Sequence, residues 1–331
     1  MTSPVPLVRA AALAPVLLWM RERGLSWEAR LQEAGLPGTL LDEPERPIAL
    51  HAGIRFFAKV AETQSPDFGC RIVNDTSIAQ LSLLGRVALG ARTPREAMGR
   101  LMRAYPHHSS HEQFIVRAES GSLTIRHWFV TEVDNAALHI CHQYVAALVR
   151  AVTAGCGLTG PRFSEVRLIP HPEAGLAHLS HYLDGPPQPA TDRALTVTLP
   201  DAVLDRPYLK PMRDRGPHHL DPIRGDGTLT ASLRLILPGI LDDRPARIAE
   251  IAALAGTSPR TLQRRLSAEN TALSEIVDDL RRDHALTRLA GSRDPVGSIA
   301  ADLGYSNQSS LTRAMRRWSG SPPSQLRRAG A

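Results

Sequence analysis

The sequence is poor in cysteine and almost devoid of lysine. Its three cysteines, Cys70, Cys141 and Cys156, are widely spaced and form no Cys-x-x-Cys pair. Such a sparse, odd set is typical of a reducing compartment and predicts no structural disulfide. The apolar run from Ala10 to Met20 is too short to span a bilayer and leads into charged residues without a convincing cleavage site. It predicts a buried helix in a cytoplasmic protein.

The sequence also lacks the usual signs of an enzyme. Neither a phosphate-binding P-loop nor a dinucleotide-binding loop is predicted. Cys70 and Cys156 have no identifiable catalytic partner along the chain, although such partners need not be adjacent in sequence. We therefore predict that the protein is not an enzyme, and we assign no catalytic residue, metal ligand or cofactor.

Positive charge is concentrated near the C-terminus. Residues 244–331 contain fourteen arginines, no lysine and eight acidic residues, an excess that equals the net charge of +6 of the whole chain. The remaining residues are therefore neutral as a group. A local basic excess is expected of a domain that binds a polyanion, although a solvated surface gives the same signal.

Apolar spacing predicts a mixed fold for the first two hundred residues. Helical periodicity dominates residues 7–105 and returns over 134–154. The alternation within residues 114–129 predicts a β-hairpin, and short apolar runs at 165–169 and 194–199 predict further strands.

Two domains and a linker follow from these patterns. Residues 1–204 are predicted to form an α+β domain. Residues 205–227 are rich in proline and glycine without periodicity, which predicts a linker. Residues 228–331 are predicted to form an all-α domain with two helix-turn-helix units joined by a long helix.

That prediction rests on an internal repeat, whose copies run over residues 248–266 and 299–315. Each copy has an alanine four residues before a glycine: Ala252 and Gly256, then Ala300 and Gly304. A small residue lets two helices approach closely, and glycine ends a helix in a left-handed turn. Between the copies, a helix is predicted from about Ser274 to Ala290.

A polar residue follows each glycine and is predicted to cap the second helix of its copy, Ser258 in the first and Asn307 in the second. Counted from these caps, the apolar positions coincide: Leu262 and Leu266, then Leu311 and Met315. The outer face carries polar residues: Arg260, Gln263 and Arg264, then Ser309, Thr312 and Arg313. Arginine can bond guanine and glutamine can bond adenine in the major groove. Two matched copies on a basic segment therefore predict a sequence-specific DNA-binding protein.

Residues 228–331 resemble the AraC/XylS family of bacterial transcription regulators. The most specific stretch runs from Gly304 to Arg313 and is followed by Arg-Trp-Ser-Gly at 317–320 and by Pro323. Leu311 and Met315 stand where the family usually has phenylalanine. The resemblance implies that bases are contacted by Arg260, Gln263, Arg264, Gln308, Ser309 and Arg313.

The N-terminal half resembles the arabinose-binding-type domain of regulators related to ornithine utilisation and mycobacterial virulence. The residues that carry this are 33–37, Leu84-Gly85 and 93–97. The resemblance implies an unidentified small-molecule effector and self-association as a homodimer. Promoter DNA and RNA polymerase are the other expected partners, and no membrane partner is expected.

A metal- or redox-sensing regulator on the same DNA module is the alternative. His107, His108 and His111 lie close together, as do His139, Cys141 and His142. Neither group has a second half at metal-site spacing, so surface or hydrogen-bonded histidines are the simpler interpretation.

Overall fold

The structure, a computed structural model, describes residues 4–209, 222–223, 226–242 and 245–329. The chain forms two compact units, the first built from Pro6–Ala34 and Gly38–Arg224 and the second mainly from Gly225–Ala331. The helices of the first unit are α1 (Ala14–Glu22), α2 (Glu28–Ala34), α3 (Leu50–Ala61), α4 (Phe68–Arg71), α5 (Leu83–Leu89), α6 (Pro94–His108), α7 (Asn135–Val152) and α8 (Asp201–Leu204). Its strands are β1 (Leu7–Arg9), β2 (Pro47–Ala49), β3 (Glu112–Glu119), β4 (Ser122–Phe129), β5 (Glu165–Leu168), β6 (Gln188–Pro189) and β7 (Leu195–Pro200).

The main sheet of the first unit is apolar on one face only. Its strands lie in the order β3-β4-β7-β5-β6, antiparallel except for the pair β5 and β6. Leu123 and Ile125 of β4 and Val197 and Leu199 of β7 are buried, whereas the threonines between them are half-buried. This period of two is the pattern of a sheet with one covered face, and it confirms the predicted hairpin and the strand at 194–199.

Helices α5, α6 and α7 share a core with that apolar face. The hydroxyl of Thr93 caps α6 by accepting a hydrogen bond from the Glu96 amide at 3.3 Å. The carboxylate of Asp134 caps α7 by accepting one from the Ala137 amide at 2.9 Å. Such caps satisfy amides that no helical carbonyl can reach. The helix predicted over 134–154 is confirmed as α7.

Two short pairings were missed by the sequence analysis. Strand β1 pairs with β2 in a separate antiparallel sheet, inside the stretch predicted as mostly helical. Strand β6 adds two residues to the edge of the main sheet. Segments of two or three residues are too short to show a periodicity. No helix among the described residues is both long and apolar enough to cross a membrane.

Gly155, Gly157 and Gly160 have the Gly-x-Gly-x-x-Gly spacing of a dinucleotide-binding loop, which the sequence analysis overlooked. Here the spacing begins inside a 3-10 turn at Ala154–Cys156, which follows helix α7 rather than a strand. A dinucleotide loop must connect a strand to a helix, so the spacing has no such function here. Gly155 instead allows the ring of Tyr208 to pack closely against the backbone.

Only part of the predicted linker can be compared with the structure, because residues 210–221 and 224–225 lie outside the described residues. At its start, the Tyr208 hydroxyl donates to the Val152 carbonyl at 2.8 Å. The amide of Leu209 donates to the Gly155 carbonyl at 2.9 Å. The chain therefore remains bonded to the first unit as far as Leu209.

All of the second unit's elements in the described residues are helices: α9 (Leu229–Leu241), α10 (Ile248–Leu254), α11 (Pro259–Ala268), α12 (Leu273–Gly291), α13 (Val296–Asp302), α14 (Gln308–Ser319) and α15 (Pro323–Ala329). Helices α10 and α11 form one helix-turn-helix pair, and α13 and α14 form the other. Helix α12, with 19 residues, joins them and is about 28 Å long at 1.5 Å per residue. The predicted architecture, α+β followed by all-α, is confirmed.

We predict that Gly85→Ala destabilises the first unit by about 1–3 kcal/mol, because it overpacks a tight contact. A Cβ at this position of α5 would lie within 3.0 Å of the Ile78 carbonyl oxygen, which is backbone and cannot rotate away. The matched control is Gly99→Ala inside α6, whose new Cβ would meet only the mobile Arg103 side chain at 3.7 Å. The control should leave stability unchanged or raise it by about 0.5–1 kcal/mol. Urea denaturation of the two full-length variants tests this, and equal stabilities would contradict the close approach.

Candidate DNA-binding surface

The same left-handed turn connects the two helices of each pair. Gly256 has a φ of +62° and Gly304 a φ of +75°, a region that a side chain enters only at an energetic cost. In both turns the amide after the glycine donates to the carbonyl of a buried alanine, from Thr257 to Ala252 at 2.9 Å and from Tyr305 to Ala300 at 2.8 Å. This is the Schellman motif, and it explains why the repeat contains a glycine. The alanine is explained by its complete burial, which leaves no room for a larger side chain.

Both predicted helix caps are confirmed. The hydroxyl of Ser258 accepts a hydrogen bond from the Thr261 amide at 3.2 Å. The side-chain oxygen of Asn307 accepts one from the Ser310 amide at 2.9 Å. Each cap fixes the residue at which its helix begins, so positions counted from the cap are equivalent in α11 and α14.

The apolar faces of α11 and α14 are buried. No more than 1% of the surface is exposed in any of the four residues predicted to form them: Leu262, Leu266, Leu311 and Met315. The last two, which replace the usual phenylalanines, pack in one core with the half-buried Tyr305 and Trp318. Burial of these side chains fixes the rotation of each helix about its axis.

The opposite faces carry the residues predicted to read DNA, and all six are exposed: Arg260, Gln263, Arg264, Gln308, Ser309 and Arg313. Within the described part of the chain, neither Arg260 nor Arg264 has an ion-pair partner. Arg313 donates to the Ser310 hydroxyl of its own helix at 3.1 Å. These donors are thus available to a ligand, and direct contact with bases stays a prediction.

Ion pairs that the sequence analysis missed hold the second helix-turn-helix pair against α12. Arg317 of α14 pairs with Asp278 of α12 at 2.8 Å. Arg288 of α12 bridges Asp294 at 2.6 Å and Asp302 at 3.2 Å. Exposed pairs add little stability, but several together orient one element relative to another. No short-range pattern links residues 39 positions apart, so the pair of Arg317 and Asp278 leaves no signal in the sequence.

The first unit contains a cavity of about 110 Å³. Strand β1, helices α3, α6 and α7, and strand β3 all contribute to its wall, which is mostly apolar. Three of the polar residues in the wall, Tyr105, His108 and Glu112, cluster together. The Tyr105 hydroxyl bonds to Glu112 at 3.1 Å, and its ring lies 5.8 Å from the ring of His108. None of these residues was predicted to bind an effector, and His108 was considered only with His107 and His111 as a possible metal group.

The geometry does not favour a metal or redox sensor. The Nε2 atoms of His139 and His178 lie 3.3 Å apart, a spacing at which one imidazole donates to the other. In the described ranges no group of three or more histidine, cysteine, aspartate or glutamate side chains is placed to hold a metal ion. Burial raises the pKa of the thiols of Cys70, Cys141 and Cys156. Buried, protonated thiols are poor nucleophiles.

A sensor-type α+β unit followed by two helix-turn-helix pairs defines a DNA-binding transcription regulator. The model of the arabinose-binding domain of AraC transcription regulators matches residues 24–208, more than half of the chain. A helix-turn-helix domain model matches residues 251–329. The chain therefore belongs to the AraC family of transcription regulators, and both resemblances inferred from the sequence are confirmed.

Relatives of the chain include two curated bacterial regulators. The HTH-type transcriptional regulator VirS of Mycobacterium tuberculosis is 27% identical over 98% of this chain and 97% of its own. The ornithine utilization regulator of Pseudomonas aeruginosa is 37% identical over 31% of this chain and 30% of its own. The crystal structure of the transcriptional regulator CdpR from Pseudomonas aeruginosa aligns over 96% of this chain and 98% of its own, with 20% identity and a TM-score of 0.43. That likeness is too loose to support an argument.

We predict that Asn307→Ala destabilises α14 by about 1 kcal/mol, because the Ser310 amide loses its acceptor. Hydrogen exchange of the α14 amides in the full chain measures the change. Asn307→Asp is the matched control, since aspartate caps equally well and should restore protection. Equal protection in the alanine and aspartate variants would show that the cap does not stabilise the helix.

Proposed function

We propose that α11 and α14 enter successive segments of the major groove of promoter DNA. The proposed base-contacting residues are Arg260, Gln263, Arg264, Gln308, Ser309 and Arg313. The strongest support is the shared register, because Arg264 and Arg313 each lie six residues after a cap and are exposed opposite a buried apolar face. A bidentate arginine selects guanine and a bidentate glutamine selects adenine.

Affinity and specificity come from different contacts in this proposal. The arginine excess of residues 244–331 neutralises phosphates and supplies most of the affinity. Contacts from α11 and α14 to base edges supply the choice of sequence. The amides at the start of each helix, which lack helical partners, provide further phosphate donors.

The first domain, residues 1–204, is proposed to sense a small-molecule effector and to form a homodimer. Residues 205–227 are the proposed linker, and 228–331 the DNA-binding domain. The arabinose-binding-type match and the mostly apolar cavity support effector binding. An effector that binds one conformation more tightly than another can change the free energy of DNA binding by at most the difference between its two binding free energies. Action at promoters supports RNA polymerase as a partner and the cytoplasm as the location, and it requires no catalytic step.

Arg264→Ala or Arg313→Ala should weaken binding to the preferred DNA by about 1–3 kcal/mol and relax the preference at one base step. Mobility shifts on a selected duplex and its single-base variants measure both effects. Arg117→Ala, which removes an exposed arginine from β3 of the first unit, is the matched control and should keep the full preference. Equal loss on every duplex would argue against base reading by these arginines.

Binding should also weaken steeply with salt. If the second unit neutralises about six phosphates, affinity should fall roughly a thousandfold between about 50 and 200 mM salt. Titration of one duplex across this range by fluorescence anisotropy gives the slope. A flat response would contradict the proposed role of the basic C-terminal region.

A further inference from the structure

The cavity of the first unit has a wall suited to an apolar ligand. Side chains that enclose it include Phe57, Leu81, Leu84, Leu101, Leu148 and Val149. Such a wall binds by removing apolar surface from water, while a few polar groups fix orientation. Its volume of about 110 Å³ is of the same order as the ~150 Å³ apolar cavity that holds one benzene molecule. A single ring or a short branched chain therefore fits.

The polar part of the wall is centred on the Glu112 carboxylate. Its side chain is only 8% exposed. Oε2 of Glu112 accepts a hydrogen bond from the Tyr105 hydroxyl at 3.1 Å and one from Nε2 of His127 at 2.9 Å. Burial opposes ionisation, but the hydrogen bond from His127 holds the pKa of Glu112 below its usual range. The carboxylate is therefore ionised inside a largely apolar enclosure.

The neighbours of Glu112 leave its negative charge dominant in the lining. Burial lowers the pKa of His108 to about 4, so this imidazole is neutral near pH 7. Burial raises the pKa of Tyr105 well above its usual value, so the phenol stays a donor. A carboxylate offers about four acceptor positions. Tyr105 and His127 donate to this one, which leaves capacity for a further donor.

We propose that this cavity binds a small, mostly apolar effector whose polar group donates a hydrogen bond, an amine or a hydroxyl, and that it rejects carboxylates of the same shape. A donor on the ligand is favoured next to an ionised acceptor. A second carboxylate in the same enclosure meets a like charge in a region of low dielectric. The inference rests on the proposed effector-sensing function and names the chemical class that this site selects.

Four probes of one shape test the proposal on the full-length protein: toluene, benzyl alcohol, benzylamine and benzoate. Calorimetric titration and thermal shift, each at millimolar ligand, give the order of affinity. Benzyl alcohol and benzylamine should bind at least about tenfold more tightly than benzoate. The affinity for toluene, which has only the apolar part, should lie between the affinities for these two ligands and that for benzoate.

Two variants separate the polar group from the cavity itself. Glu112→Gln keeps the shape but removes the charge, so the preference for benzylamine over benzoate should fall about tenfold or more. Gly53→Ala adds a methyl group to the cavity wall at ordinary contact distances, 3.7 Å from Ile48 and 3.9 Å from Val8. This variant should lower the affinity for every probe without lowering the stability of the protein. Gly99→Ala, away from the cavity, should change no probe affinity.

The outcomes distinguish this inference from the proposed function. Equal binding of benzoate and benzylamine, or an unchanged preference in Glu112→Gln, overturns the inference. Absence of binding by all four probes overturns it as well and identifies the cavity as a packing gap. DNA affinity, measured without and with each probe, tests the proposed function separately. If the probes bind in the expected order but none of them changes the affinity for DNA, the inferred ligand site stands and the proposed sensor function is wrong.

Discussion

The left-handed turn at Gly256 and Gly304 is the constraint on which the DNA-binding surface depends. Each turn ends one helix with an amide bonded back to a buried alanine, and the next helix starts from a side-chain cap two or three residues later. Successive helical residues are rotated by about 100°, so a slip of one residue would turn arginines inward and leucines outward. The glycine and the cap together therefore decide which side chains are buried and which remain free to meet a ligand.

Features set by neighbours along the chain could be predicted. The turns, the caps and the buried positions of α11 and α14 depend on residues within eight positions of one another. The hairpin of β3 and β4 could be predicted for the same reason, because the alternating apolar residues and the Ser120-Gly121 turn lie in one short stretch of the chain. Matching the two copies mattered most, since one copy alone would not have distinguished a DNA-binding pair from an ordinary helical hairpin.

Features that depend on distant residues could not be predicted. The pairing of β1 with β2 joins segments 40 residues apart, and Arg317 meets Asp278 only after α12 and α14 have packed. The cavity is a property of several elements at once. One signal was available but not used. The hairpin register pairs Glu112 with Phe129 and Phe114 with His127, which places Glu112 and His127 diagonally on one face of the sheet. A glutamate and a histidine on an otherwise apolar face indicate a buried polar pair.

The two helix-turn-helix pairs are alike in backbone but not in their outer residues. The first presents Arg260, Gln263 and Arg264, and the second presents Gln308, Ser309 and Arg313. A dimer with two identical DNA-reading surfaces binds a palindromic site, because the two halves of the site then have the same two-fold symmetry as the protein. Two different DNA-reading surfaces in one chain instead match a site that is not a palindrome. If both pairs enter the major groove as proposed, each molecule would bind its site in one direction only, and the order of the two half-sites would set the orientation of the regulator along the DNA.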